Sequence, residues 1–179
     1  MNRREALALM TTLCGGTIFG AKQMLAGIVN ANTSERALTA AELSLLNQIG
    51  ETILPTTAGS AGAKAADVAG FMQIIIRDFY QEKERATFLA GPALLEESCR
   101  ARHAGRGFMD LKAVEQHDLL MTLEQTKPQP EYYKMIKQLT VWGYYSSEVG
   151  ATQALINVPV PGRYEGCITI GPGAKAYSG

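Results

Sequence analysis

The side chains able to do chemistry in this chain are few and scattered. Its two histidines, His103 and His117, fall in different expected helices among Arg100, Arg102, Glu115 and Asp118. Charged neighbours of that kind mark solvated faces, and neither histidine has the cluster that a metal site or a general base needs. Ser147, beside Glu148, carries a nucleophile's hydroxyl, but no histidine lies near it in sequence to take the proton. Three cysteines and two histidines leave little for a four-ligand zinc site, and no Cys-x-x-Cys-His run attaches a haem. No Gly-x-Gly-x-x-Gly or P-loop spacing occurs, and Gly171-Pro172-Gly173 lacks the strand–helix setting that binds a dinucleotide. The expectation is a chain with no catalytic, cofactor-binding or metal-binding residues of its own.

Lys+Arg and Asp+Glu are both 17, so no net field draws the chain to nucleic acid. The one charge motif is local. Arg3 and Arg4 precede Ala6 to Ala21, a stretch without charge, and Val29-Asn30-Ala31 offers the modest side chains that a signal peptidase reads. Adjacent arginines before a mildly apolar run rich in Thr and Gly predict a twin-arginine export signal over residues 1–31, cleaved after Ala31. An uncleaved N-terminal helix is the alternative. Cleavage removes Arg3, Arg4, Lys22 and Glu5 and leaves 14 basic against 16 acidic side chains, as suits a periplasmic protein. It also removes Cys14, whose neighbours Thr12 and Leu13 do not make a lipoprotein site.

The elements that position the remaining groups are helical. Thr39-Ala40-Ala41-Glu42 forms a capping box before Leu43, Leu46, Ile49 and Ile53, whose spacing is one helical face ended by Pro55. After a small-residue loop, 56–66, Asp67 caps a helix carrying Phe71, Ile74, Ile75 and Phe79. A third helix is expected from Lys83 to Ala104, interrupted or kinked at Gly91-Pro92 and ended by Gly105-Arg106-Gly107. A fourth spans Phe108 to Gln125, with Leu111, Val114, Leu119, Leu120 and Leu123 as its apolar set; Lys127-Pro128-Gln129-Pro130 breaks the chain after it. The last runs from Glu131 to Leu155, with Tyr132, Ile136, Leu139, Gly143 and Gly150 on one side. No run predicts strand pairing. The fold class is all-α: a compact domain of about five helices over 32–157, followed by an extended Pro/Gly-rich tail, 158–179.

Trp142, Tyr144, Tyr145 and Tyr164 concentrate at the end of the last helix and in the tail, beside Ser147, Glu148 and Pro161. Such side chains dominate interface hot spots, so this region is the expected partner interface; core aromatics, with Ser147 and Glu148 pairing to backbone or helix ends, are the alternative. In an oxidising compartment Cys99 and Cys167 could pair with each other, or Cys167 with another chain; a buried free thiol is an equal reading for Cys99.

Three stretches, Leu139 to Gly150 (LTVWGYYSSEVG), Val158 to Cys167 (VPVPGRYEGC) and Ile53 to Val68 (ILPTTAGSAGAKAADV), resemble the gluconate 2-dehydrogenase small subunit (subunit 3) family. The likeness spans essentially residues 40–170. It implies a non-catalytic subunit of a periplasmic dehydrogenase complex that is membrane-associated only through its partners. In such complexes a large flavoprotein of the glucose–methanol–choline class holds FAD and substrate. A cytochrome c subunit, when present, carries haem c. The small subunit escorts the folded large one across the membrane on its twin-arginine address. Substrates of such complexes include gluconate, other sugars and glycosides, and the family offers no catalytic residue to place on this chain. The competing reading is a stand-alone periplasmic small-ligand binder or enzyme using Ser147, Glu148 and His117.

Overall fold

A computed structural model of the chain describes residues 36–158, 160, 162, 167, 169 and 171–178. The expected export signal with Arg3 and Arg4, together with Pro161 and Tyr164, lies outside the described residues. The described fold belongs to the unit Ala37–Gly179 and is mostly helical. Its five α-helices are α1 (Ala40–Ile53), α2 (Val68–Asp78), α3 (Glu82–Arg102), α4 (Ala113–Gln125) and α5 (Glu131–Ser146). None of the described helices is long and apolar enough to cross a membrane. α5 is the hub and packs against each of the other four.

The first helix begins as its sequence dictates. The Thr39 hydroxyl accepts the Glu42 N–H at 3.3 Å, and the Glu42 carboxylate accepts the Thr39 N–H at 2.9 Å. Leu45, Leu46 and Ile49 enter the core, and Leu43 and Ile53 pack at its margin. Gly50 is buried here: a Cβ on it would stand 2.7 Å from Val68 Cγ2, so its bareness lets α1 and α2 approach closely.

Asp67 caps α2 as expected, accepting the Gly70 N–H at 3.4 Å, while Asn47 reaches across from α1 to donate to Asp67 Oδ1 and to accept the Ala69 N–H, both at 3.0 Å. The buried face of α2 is turned from the expected one. Val68, Ala69, Met72, Ile75 and Ile76 are buried, whereas Ile74 is 50% and Phe79 73% exposed. Val68 packs against the bare Gly50, which turns that side of α2 towards α1.

α3 runs through Gly91-Pro92 as one helix, so of the expected interruption or kink the interruption does not occur. Both residues are buried: Gly91 faces α5, where a Cβ on it would lie 3.2 Å from that of Tyr132, and Pro92 lies on the side of Leu45 of α1. Burial between the two helices thus offsets the lost backbone hydrogen bond. Ala104 and Gly105, at φ 52° and 83°, end the helix in left-handed backbone. The expected fourth helix is two elements. Phe108–Asp110 is a 3₁₀ turn, and α4 starts at Ala113, where Glu115 reaches back to the Lys112 N–H at 2.9 Å. Val114 is exposed rather than part of the apolar set.

α5 stops at Ser146, short of the expected Leu155. Ser147 is extended; its hydroxyl donates to the Tyr144 carbonyl at 2.6 Å and accepts the Gly150 N–H at 3.1 Å. Such side-chain bonds compete with the helical ladder. Gly150 then lies against the Tyr144 carbonyl with no room for a Cβ, and a π-helical turn follows at Gly150–Ala154. Strand pairing, not foreseen in the sequence, follows: β1 (Ile156–Asn157) pairs in parallel with β2 (Tyr177–Ser178).

Candidate functional site

At the end of α5 the expected interface residues separate into two groups. Trp142 is 52% exposed, its ring set edge-on against Phe71 of α2, with centroids 5.2 Å apart and planes at 84°. Val141 and Tyr145 are also exposed. One turn along α2 from Phe71, half-exposed Ile74 lies on the same side of that helix. Gly143 makes the arrangement possible: a Cβ there would stand 2.6 Å from the Phe71 ring, so its absence seats Phe71 beneath Trp142. The result is an aromatic ridge across α2 and α5. Beside it Glu124, Gln129, Lys134, Lys137 and Gln138 line a hollow with Val141 and Trp142, in which Lys137 and Gln129 both donate to the Glu124 carboxylate, at 2.7 and 3.0 Å.

Tyr144 is turned inward, and Ser147 is half-buried with its hydroxyl held by local backbone. Tyr144 is buried; its hydroxyl donates to the Ala61 carbonyl at 2.8 Å and takes a hydrogen bond from Ser60 Oγ at 2.6 Å. The Ser147 hydroxyl is committed to ending α5. Glu148 is exposed, and its backbone carbonyl accepts the Thr152 hydroxyl at 2.6 Å.

The loop that Tyr144 grips is organised by a residue the sequence reading passed over. The Glu51 carboxylate accepts the Thr56 N–H at 2.9 Å, the Thr56 hydroxyl at 2.8 Å and the Lys64 N–H at 3.0 Å. The Thr56 hydroxyl accepts the Gly62 N–H at 2.9 Å, and the Gln153 side chain accepts the Ala61 N–H at 2.8 Å. Burial alone would push the Glu51 carboxyl up, but these amide and hydroxyl donors, with the Lys64 charge, hold it below its ordinary value. The small residues of 56–66 are therefore a wrapping around one carboxylate. The available signal was a glutamate at the end of an apolar helix, just before a loop with few side chains of its own.

The remaining candidates stay apart. Cys99 is fully buried, its thiol 3.4 Å from the Arg106 carbonyl, and burial followed by the Glu96 charge pushes its pKa up. Cys167 is exposed, and both are free thiols, so the structure does not bring the two together. His103 sits at the C-cap of α3 and His117 on the exposed face of α4. Among the described residues no group of three or more His, Cys, Asp or Glu side chains is placed to hold a metal ion.

No curated protein and no solved structure matches the chain. A family model described as gluconate 2-dehydrogenase subunit 3 matches residues 40–162, a span that takes in all five helices, the Glu51-centred loop and the aromatic ridge. The chain belongs to the gluconate 2-dehydrogenase subunit 3 family.

Proposed function

We propose that this chain is the non-catalytic small subunit of a periplasmic, FAD-dependent sugar, sugar-acid or glycoside dehydrogenase complex. In this reading it serves as twin-arginine export escort and stabiliser of a large flavoprotein of the glucose–methanol–choline class. FAD resides in that large subunit, and haem c in a cytochrome subunit where one is present. The observation that carries the reading is the ridge of Phe71, Ile74, Val141, Trp142 and Tyr145 on a chain of a family named as a dehydrogenase subunit. Clustered, exposed large apolar side chains are unfavourable on an isolated soluble protein and favourable at an interface. Glu148 and the tail residues Pro161 and Tyr164 extend the proposed contact. The Arg3-Arg4 pair supplies the address for both subunits.

Fractionation of cells making both subunits tests the escort role. Arg3→Lys/Arg4→Lys is expected to leave the large subunit in the cytoplasm; its arrival in the periplasm at normal level would refute the role.

A further inference from the structure

The end of the chain returns to the segment just after α5. Ile156 pairs with Tyr177 and Asn157 with Ser178, and the Ile156 N–H donates to the Ala176 carbonyl at 2.8 Å. Next to this ladder the Lys175 ammonium donates to the Gln153 backbone carbonyl. Gln153 faces the other way through its side chain, whose oxygen accepts the Ala61 N–H at 2.8 Å. Ala61 in turn receives the Tyr144 hydroxyl. One continuous set of hydrogen bonds therefore joins Lys175 to the loop wrapped around Glu51.

A two-residue ladder is too short to stand alone, and bringing together segments twenty residues apart in sequence costs loop entropy. The ladder needs the second fastening at Gln153, and Gln153 is held by the loop. We infer that Lys175–Ser178 is a clasp: it fastens Ile156–Asn157, after α5, and through Gln153 steadies the 56–66 loop. Residues fastened in this way lose less freedom when a partner covers them than free ones do. That consequence rests on the subunit reading, whereas the clasp itself does not.

Amide hydrogen exchange on the chain without partner tests it, comparing the unaltered protein with Lys175→Met and with a chain ending at Ala174. The Ile156 and Ala61 amides are expected to exchange about tenfold faster together in both variants, as for the loss of an ordinary hydrogen bond's protection. The Ile136 and Leu139 amides of α5 serve as unchanged references. Any result in which the Ile156 and Ala61 amides do not rise together overturns the clasp. Should the shortened chain fail to fold, Lys175→Met decides alone, because it removes one exposed amine and keeps every residue of the ladder, whose opening then reports the lost fastening. Co-purification of the large subunit with the same variants reads the partner consequence separately, so failure of one reading is distinguishable from failure of the other.

Discussion

The Tyr144 hydroxyl bonds the Ala61 carbonyl and Ser60 Oγ in a part-buried loop, so its removal takes away both ties. Tyr144→Phe is expected to cost about 1 kcal/mol, the net worth of an ordinary hydrogen bond. Urea unfolding measures it, and an unshifted midpoint would mean that the tie is ornamental. A second residue sets acid behaviour. The Arg106 guanidinium grips both oxygens of Glu115, at 2.7 and 3.1 Å, and with the Lys112 N–H holds that carboxyl down at about 2 against its ordinary 4.5. The folded chain thus binds fewer protons than the unfolded one between those values. The stabilisation is complete above pH 4.5 and is lost as pH falls through about 2. Thermal melts across that window should show a shallower acid decline in Glu115→Gln than in the unaltered protein; parallel curves would remove Glu115 from the account. At this scale the sequence named Tyr144 and Ser147 for their types, but type does not say which way a helix turns them. Glu51 went unnoticed because its partners are mostly backbone amides, which carry no sequence signal.

Between elements, the critical approach is α2 on α5 at Gly143. Gly143→Ala puts a methyl 2.6 Å from the Phe71 ring, which packs edge-on against Trp142. Overpacking costs about 1–3 kcal/mol, while alanine's helix propensity returns at most about 1 kcal/mol, so net destabilisation is expected. The chain's single tryptophan reports the displacement directly as a change in fluorescence alongside a lowered Tm. Neither change should occur if the two helices slide apart without cost. The local signals of these elements were legible: Thr39 with Glu42 and Asp67 with Gly70 act within one turn of chain. The end of α5 and the face of α2 were not, because both depend on what the neighbouring backbone permits, at Gly150 on the Tyr144 carbonyl and at Gly50 on Val68.

For the whole molecule, the ridge separates stability from association. Trp142 is half exposed, and its truncation takes little from the core. Trp142→Ala is expected to shift unfolding by about 1 kcal/mol or less, as for surface positions. It should also weaken retention of the large subunit about tenfold or more, as for an interface hot spot. Chemical melts and quantitative co-purification read the two quantities separately. Equal retention of the large subunit would place the interface elsewhere.

The all-α class, the starts of α1, α2, α3 and α5 and the family likeness followed from the sequence alone, because capping and 3.6-residue periodicity act over a few residues and are written in residue types. Tertiary structure alone decided that Tyr144 ties a loop while Trp142 meets solvent, that Pro92 stays within a helix, and that the chain end returns to Ile156. Each of those outcomes is a close approach between segments distant in the chain, where packing space and hydrogen-bond partners outweigh local preference.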